Sequence, residues 1–567
     1  MPAVTSFSLV DEPCILVGLH DGSTCELSLR DTFARASDIR ELRGSPQTQV
    51  FAQLRFLEAI LLRALELDEG PERDAPPAER WRRLWTADEL PMPAIARYLD
   101  EHRDRFDLIG SQPLMQVAAL RTAKSDTPEG SSLSRLVVDS SDDGLFSMRR
   151  AGGLTRLTFA EAARELLHVH AFGVSGIYPA GMDDTGTDPR AKGGKVYPQG
   201  VGAAGDLGGV MIEGGNLRET LLLNLVLGRS ASEPFDYTVD DEPAWERPQL
   251  TVTEEERSVP GPHGPADLFT WQSRRVRLIH DDDGVTGAVV CYGDQLRPQN
   301  LHTIETMSAY RYSANQSKAL GGTVYMPVRH QPSRSFWRGL GALLPQERSD
   351  GPETIPPRTI EWIRDLSDRG ILADDRILTT RAIGVEYGTQ SSVITEIYGD
   401  GVDMQVALLQ ERNRSLADAV LEMVSRTDDA MRAVGWLAEN LVIAAGGDPL
   451  EAAKSARDAE KANGYALVDG PFRAWLRRLG SGTDVEEART AWVSRARELL
   501  RGHAQRMVRD AGVAAWRGRP RGAGGEELIN APKAFVWFDR QLGKALPPGR
   551  DERVADPDAR DNEKESA

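Results

Sequence analysis

The sequence predicts an α+β protein, with a large mixed α/β N-terminal domain that contains β-hairpins and a C-terminal four-helix bundle. Turn signals such as Asp-Gly between apolar runs indicate hairpins in the N-terminal part. Amphipathic helical patterns lie between these hairpins, and after about Val402 only helical patterns recur. We therefore expect domains over residues 1–402 and 403–548, followed by a disordered acidic tail over 549–567.

The chain opens with a predicted hairpin whose turn is His20-Asp-Gly-Ser23. Asp-Gly favours such a turn because both residues tolerate positive φ. Farther on, apolar residues recur at helical spacing. The elements expected up to residue 172 are strands at Cys14–Gly18 and Thr24–Leu29, and helices at Gln49–Leu67, at about Ala78–Leu108 and at Phe159–Phe172.

Residues 173–215 form a glycine-rich segment, with thirteen glycines in forty-three residues. Glycine loses more backbone entropy on folding than any other residue, so this segment is not expected to be a regular element. It is either disordered or held in place because its backbone must approach something closely. A helix is predicted directly after it, at about Asn216–Leu227.

Two further hairpins and four helices follow. The last hairpin has a polar and exposed connecting tip, Gly388-Thr-Gln-Ser-Ser392. Glycine pairs and glycine clusters separate the C-terminal helical patterns, which is typical of helix ends. The expected elements are strands near Phe269–Ile279, Val285–Tyr292, Ile377–Tyr387 and Val393–Tyr398, and helices from about Leu416 to Val442, Pro449–Leu479, Val485–Ala511 and Ala531–Leu546.

Composition excludes several classes of protein. The formal net charge of −18 argues against a surface that coats nucleic acid without discrimination, so any nucleic-acid contact must be local. Three widely spaced cysteines form no disulfide framework and no zinc-binding pair. The N-terminus lacks a charged secretory signal, and no apolar run is long enough for a membrane span. We expect a cytoplasmic protein with no membrane partner.

Motifs for catalysis, metals and cofactors fail in their context. Gly200-Val-Gly-Ala-Ala-Gly205 matches the dinucleotide fingerprint, but Pro198 interrupts the required strand and no helix opening follows. His168 and His170 cannot share a ligand face if they lie on a helix, because they are about 200° apart around it. We expect no metal, no cofactor and no catalytic residue. A nucleotide-binding enzyme using residues 200–215 and a purely structural assembly subunit remain alternatives.

Basic residues carry little information here, since arginine greatly outnumbers lysine throughout the chain. Arg274-Arg-Val-Arg277 and the arginines at 329–338 are therefore interpreted first as solvated faces or salt bridges. The glycines of Ala204-Gly-Asp-Leu-Gly-Gly209 are more informative. Main chain without side chains can enter a minor groove only about 6 Å wide. A tight surface loop is the alternative interpretation.

Six blocks of sequence are the most specific features of the chain. They are Gln112-Pro-Leu-Met-Gln116, Lys192-Gly-Gly-Lys-Val-Tyr-Pro-Gln199, Asn216-Leu-Arg-Glu-Thr-Leu-Leu-Leu-Asn224, Trp271-Gln-Ser-Arg-Arg275, Pro332-Ser-Arg-Ser-Phe-Trp337 and Tyr387-Gly-Thr-Gln-Ser-Ser392. In this order they resemble the large subunit of the type I-E CRISPR surveillance complex Cascade, the CasA family, and the similarity as a whole runs from the N-terminal hairpin through the helical C-terminal region.

The resemblance implies a non-catalytic subunit of an RNA-guided antiviral complex. Such a subunit recognises the protospacer-adjacent motif in double-stranded DNA, begins strand separation for R-loop formation and helps to recruit a helicase–nuclease. Its implied partners are the backbone and small subunits of Cascade, the CRISPR RNA, the target DNA and the helicase–nuclease. The helical bundle is expected to touch the small subunits and the displaced strand.

The resemblance also implies roles for individual residues. Gly205 and Gly208 fall in the family's glycine loop along the minor groove, and Gly209 is expected to shape the same turn. Lys318 falls at the lysine finger. Gln390, preceded by Thr389, falls at the glutamine wedge that opens the first target base pair. The region around Phe146, Arg149 and Arg150 corresponds to a loop that docks on the guide RNA and a backbone subunit.

Overall fold

The computed structural model of the chain describes residues 5–68, 74–127, 130–140, 153–230, 240–255, 257, 260–345, 354–521 and 527–547. These residues form two compact units. The first holds the described residues up to 336 together with 354–372 and 378–401, and the second holds 337–345, 373–377 and 402–547. Small sheets and many helices confirm the predicted α+β class.

Strands of the first unit pair into several small sheets rather than one large one. The three-stranded sheets have the orders β2-β1-β3, β12-β11-β13 and β15-β14-β8, and β9 pairs with β10, β4 with β7, and β5 with β6. The strands are β1 (Ile15–Leu19), β2 (Thr24–Leu27), β3 (Ile39–Leu42), β4 (Tyr178–Pro179), β5 (Met182–Asp183), β6 (Gly186–Thr187), β7 (Lys195–Val196), β8 (Gly209–Glu213), β9 (Arg274–Asp281), β10 (Gly284–Tyr292), β11 (Tyr310–Tyr312), β12 (Tyr325–Pro327), β13 (Thr354–Ile355), β14 (Ile377–Tyr387) and β15 (Ile394–Gln405).

Helices of the first unit surround a central helix, α2, which is buried on nearly all sides. Helices of this kind lie in the core of a domain. Inside that core the guanidinium of Arg55 donates to both carboxylate oxygens of Glu305, at 3.0 and 2.9 Å. The helices are α1 (Leu29–Ala34), α2 (Gln47–Glu66), α3 (Pro77–Thr86), α4 (Met92–Glu101), α5 (Phe159–Phe172), α6 (Leu217–Asn224), α7 (Pro265–Phe269), α8 (Ala314–Leu320) and α9 (Arg358–Asp368).

The second unit is helical, as predicted, and contains four long helices. Its core is aromatic. The ring of Phe472 stacks on Trp337 with a centroid distance of 4.2 Å and meets the ring of Trp492 edge-on with a centroid distance of 4.8 Å. The indole of Trp492 donates to the hydroxyl of Thr427 at 2.9 Å, which satisfies the buried N–H. The elements are α10 (Arg414–Ala445), α11 (Ala452–Leu476), α12 (Val485–Asp510), α13 (Gly512–Arg517), α14 (Ala531–Ala545) and a small hairpin of β16 (Arg519–Arg521) and β17 (Glu527–Ile529).

Some predicted boundaries are confirmed and others are wrong. Helix α5 has the predicted bounds, because Thr158 and Glu161 form a reciprocal capping box at its start. The single helix predicted over 78–108 is wrong, since α3 ends at Thr86 and α4 begins only at Met92, with Pro91 at its N-cap and Pro93 in its first turn. The strand predicted from Phe269 begins instead at Arg274.

The glycine-rich segment is also more regular than expected, because its end forms β8. Within the described ranges, no helix combines the length and the apolarity that a bilayer crossing requires.

Candidate nucleic-acid interface

Strand β8 brings together the three predicted DNA-contacting segments. On one edge, Gly209 pairs with Ile383 of β14, the strand that leads to the predicted wedge. On the other edge, Gly209 pairs with Ser308, and the N–H of Val210 donates to the carbonyl of Met307 at 2.7 Å. This second edge leads into β11 and the insertion that carries Lys318. The glycine loop, which precedes β8, therefore lies between the other two segments.

The wedge tip joins β14 to β15 through a tight, polar connection. The N–H of Gly388 donates to the carbonyl of Val393 at 2.9 Å and closes the tip. Gln390 and Ser391 adopt left-handed φ angles of 56° and 55°. Such angles are uncommon in residues other than glycine and mark a constrained backbone. Thr389 and Gln390 are both exposed, so the tip presents an amide and a hydroxyl to solvent.

A short segment before the glycine loop anchors the tip. The N–H of Ser175 donates to the carbonyl of Ser391 at 2.7 Å. The hydroxyl of Tyr292 in turn holds the next residue, accepting from the N–H of Gly176 at 3.1 Å and donating to its carbonyl at 2.8 Å. The wedge tip is thus joined by one main-chain hydrogen bond to a segment that Tyr292 holds in place.

Arg274 links the start of the glycine-rich segment to Gly200 within it. Its buried guanidinium donates to the carbonyls of Gly173 at 2.9 Å, Val174 at 2.7 Å and Gly200 at 3.2 Å. The interpretation of Arg274 as part of a solvated basic face is wrong, because this side chain is only 1% exposed. Its neighbour Arg275 is equally buried and pairs with Asp294 at 2.9 Å. Sequence reasoning missed these roles because the carbonyls come from distant segments.

The glycine loop also caps helix α5. The last carbonyls of a helix lack partners within it and must be satisfied from outside. Loop N–H groups and the hydroxyl of Tyr387 supply those partners. The N–H of Ala203 donates to the carbonyl of His170 at 2.9 Å, and the N–H of Ala204 donates to that of Ala171 at 2.7 Å. The Tyr387 hydroxyl donates to the carbonyl of Phe172 at 2.9 Å, and the N–H of Gly202 donates to that of Gly173 at 2.8 Å. One helix end therefore positions both the glycine loop and the wedge strand.

Packing explains the three glycines predicted to meet DNA. A Cβ atom at Gly205 would lie 2.2 Å from the Tyr387 hydroxyl, and one at Gly208 would lie 2.0 Å from the Val328 carbonyl. At Gly209 it would lie 2.6 Å from the ring of Phe51. The expectation of exposed main chain at these glycines is wrong, because all three are buried. Their lack of side chains allows close internal packing, and their role toward DNA stays a prediction.

Lys318 lies on α8, inside the insertion between β11 and β12, and its side chain is exposed. Its ammonium forms no salt bridge with the residues that the structure describes. The base of this insertion closes where the N–H of Val328 donates to the carbonyl of Ala309 at 2.8 Å. Because Val328 also contacts Gly208, the lysine-bearing insertion and the glycine loop share a packed base.

Charged and titratable groups complete the surroundings of the loop. The carboxylate of Asp206 pairs with the exposed guanidinium of Arg329. The Nε2 atom of His330 hydrogen-bonds the carbonyl of Gly209 at 3.0 Å, and burial lowers the pKa of this imidazole to about 4. Burial likewise raises the pKa of the Tyr387 phenol, so this hydroxyl stays protonated and able to donate.

The docking residues Phe146, Arg149 and Arg150 lie outside the described residues.

Other candidate chemistry is accounted for within the fold. The Nε2 atom of His168 forms a hydrogen bond with the Thr48 hydroxyl at 2.9 Å, and the Nε2 atom of His170 forms one with the Met115 carbonyl at 3.0 Å. The two rings therefore have separate partners. A turn and strand β8, rather than a helix, follow Gly200–Gly205. Among the described residues, no group of three metal-ligating side chains is present.

The fold and the site together define a class: α+β proteins in which loops built on small sheets converge at one strand and a separate helical unit follows. The chain belongs to the family of CRISPR-associated protein Cse1, whose model matches residues 8–502.

Individual relatives agree with this assignment. The chain in the crystal structure of Thermobifida fusca Cse1 is 42% identical in sequence to this one. The two structures superpose with a TM-score of 0.84 over 96% of this chain and 98% of that chain. CRISPR-associated protein CasA/Cse1 of Thermus thermophilus is 28% identical over 96% of this chain and 98% of its own length. A chain of a CRISPR RNA-guided surveillance complex, 17% identical, shares the fold with a TM-score of 0.63 over 95% of this chain and 99% of that chain.

Proposed function

We propose that this chain is the large, non-catalytic subunit of an RNA-guided CRISPR surveillance complex and that it recognises a short motif in duplex DNA. The glycine loop and Lys318 contact the minor groove, while Gln390 enters beneath the motif and separates the first base pair of the target. Pairing of the CRISPR RNA with the opened strand then drives R-loop formation.

The convergence of three segments on β8 carries this proposal. A duplex reader needs a groove-contacting loop and a strand-separating tip at a fixed spacing, because opening must occur next to the recognised motif. Gly209 pairs with the wedge strand at Ile383 and with Ser308 on the lysine side. The tip is further fixed through Ser175 and Ser391. Contact with the groove and entry of the wedge are thereby coupled.

Burial of the glycines defines how the loop would meet DNA. With Gly205, Gly208 and Gly209 packed inside, the loop approaches the groove as a thin, rigid edge rather than as mobile main chain. The minor groove distinguishes little beyond A·T from G·C, so we expect tolerance of several related motifs. Unstacking one base step costs on the order of a few kcal/mol, which groove contacts and RNA pairing must offset.

Family membership supports the proposed partners, which are the backbone and small subunits, the CRISPR RNA, the target DNA and a helicase–nuclease. We infer that the helical unit contacts the small subunits and the displaced strand. The chain itself performs no chemistry in this proposal, and its recruitment of the helicase–nuclease supplies the cleavage step.

Gel-shift titration of the assembled complex tests the proposal. Duplexes with and without the motif are compared at fixed salt, since affinity for DNA depends steeply on ionic strength. We expect tighter binding of the motif-bearing duplex. Equal affinity for both duplexes would contradict motif recognition and favour a purely structural subunit.

A further inference from the structure

A two-residue turn with a lysine at each end projects from the glycine-rich stretch near the wedge. Lys192 and Lys195 pair across it, with Lys192 N donating to Lys195 O at 2.8 Å and Lys195 N to Lys192 O at 3.3 Å. Gly193 and Gly194 between them have φ angles of 59° and 75°. These are the values of a type I′ hairpin turn, which strongly favours glycine at both positions.

These glycines differ from those of the glycine loop. A Cβ atom at Gly193 or Gly194 would meet nothing within 4 Å, so the turn is surrounded by open space. Their presence follows from the backbone angles of the turn and not from close packing. The turn therefore presents its two lysines outward from the body of the unit.

The lysines form an unusual pair for an acidic protein. Directly paired residues in a hairpin place their side chains on one face, where like charges are destabilising. Neither ammonium forms a salt bridge with the residues that the structure describes, although the chain carries a net charge of −18. Two adjacent cations on a turn that no described carboxylate neutralises suit a ligand with closely spaced negative charges.

An exposed aromatic ring directly follows strand β7. Tyr197 comes two residues after Lys195, and both are exposed while Val196 between them is buried, which is the alternation of an extended chain. Tyr197 is 53% exposed. Cations beside an exposed aromatic ring are the combination that single-stranded nucleic-acid sites use, since phosphates pair with the cations and bases stack on the ring.

The turn is tied to the wedge by a short piece of chain. β7 pairs with β4, where Lys195 lies opposite Pro179. Four residues before Pro179, Ser175 donates its N–H to the wedge carbonyl of Ser391. Four residues span at most about 14 Å and paired strands lie about 5 Å apart, so the main chain of Lys195 lies within about 20 Å of the wedge contact.

We propose that Lys192, Lys195 and Tyr197 bind the displaced strand of the target DNA, which does not pair with the CRISPR RNA, with the lysines on phosphates and the tyrosine on an unpaired base. This inference rests on the proposed function and adds to it a site that holds the displaced strand. It makes opening more favourable by stabilising the product of strand separation.

Salt-dependent binding to a forked DNA duplex with unpaired bases tests the lysines. The assembled complex carrying Lys192→Gln and Lys195→Gln is compared with one carrying Lys124→Gln and Lys544→Gln, which makes the same change in net charge at two other exposed positions. Each phosphate contact to a single strand contributes about 0.7 to the slope of log K against log salt, so we expect the slope to fall by roughly 1.4 in the first complex only. Equal changes in both complexes would overturn the proposal.

The tyrosine gives a second, independent readout. We expect Tyr197→Ala to weaken binding of the forked duplex by a factor of about five or more and to leave a closed duplex without the motif unaffected, while Tyr197→Phe binds as the parent does. An equal loss on both probes would overturn the stacking role. Weaker loading of CRISPR RNA in place of weaker DNA binding would assign the site to the guide and contradict the proposal.

The two proposals fail in different ways. Phosphate contacts carry no sequence information, so the lysine variants should keep the parent's preference for the motif. If the parent complex shows no motif preference, the proposed function fails while the slope difference still reports whether the lysine pair binds DNA.

Discussion

The hydroxyl of Tyr387 leaves no room for a side chain at Gly205. Its oxygen lies only 2.2 Å from the position that a Cβ atom at residue 205 would occupy. Tyr387 is the last residue of β14 before the wedge tip, and its hydroxyl donates to the helix-end carbonyl of Phe172. Glycine loop, wedge strand and helix α5 therefore meet at one phenol oxygen.

This contact predicts a non-additive pair of substitutions. Gly205→Ala should lower the free energy of unfolding by about 1–3 kcal/mol, as overpacking of a filled site does. Tyr387→Phe removes the obstructing oxygen, so the double variant should lose less stability than the sum of the single variants. Chemical denaturation measures all three. Gly153→Ala is the control, because a Cβ atom there meets nothing within 4 Å. Strict additivity would contradict the contact.

How much of this site the sequence predicts depends on the distance over which its parts interact. Local signals sufficed for the strand Ile377–Tyr387, for the polar tip after it and for helix α5, because alternation, turn residues and capping lie within a few positions. The meeting of Gly209 with Ile383 depends on strand register between residues far apart in the chain. Such register follows from tertiary packing and leaves no local pattern.

The burial of Arg274 was likewise not predictable from the local sequence. A run of arginines next to a turn is normally solvated, and this one is buried because three carbonyls from two segments converge on its guanidinium. Tyr178 and Tyr292 add aromatic rings at 5.4 and 5.1 Å from its Cζ atom. Only the assembled fold creates that environment, so composition could not have distinguished Arg274 from a surface residue.

The exposed wedge residue predicts a separation of binding from opening. Gln390→Ala in the assembled complex should reduce strand opening several-fold more than it reduces initial affinity for the motif, because the amide acts after the groove is engaged. Permanganate reactivity of thymines beside the motif reports opening, and gel shift reports affinity. Gln390→Asn is the matched variant, since asparagine keeps the amide and tolerates the left-handed backbone found here. Unchanged reactivity in the alanine variant would count against the wedge.

Lys318 predicts a distinct signature in salt dependence. Replacing this exposed lysine by glutamine should lower the slope of log K against log salt by about 0.9 if its ammonium meets one phosphate. A contact to base edges should instead reduce the preference for motif-bearing duplex. Titrations of both duplexes over a range of salt distinguish these cases. Lys454→Gln, an exposed lysine on α11, is the control, and an equal response of both variants would argue against a lysine finger.

His330 predicts a pH dependence that originates beneath the glycine loop. Its ring hydrogen-bonds the Gly209 carbonyl and stacks on Tyr398 at 5.7 Å, and burial lowers its pKa from 6.5 to about 4 even though the Asp400 carboxylate favours the proton. Between pH 4 and pH 6.5 the imidazole of His330 binds a proton more readily in the unfolded chain than in the folded one. The contribution of the neutral ring to the free energy of unfolding is therefore present above pH 6.5 and is lost as pH falls toward 4. From pH 7 to pH 5 the free energy of unfolding falls by about 2 kcal/mol through this group. His330→Gln keeps a donor for Gly209 but does not titrate, so its unfolding free energy should fall less over that interval, by about this amount. Urea denaturation at both pH values measures the difference, and parallel losses in the two proteins would mean that His330 is solvated in the native state.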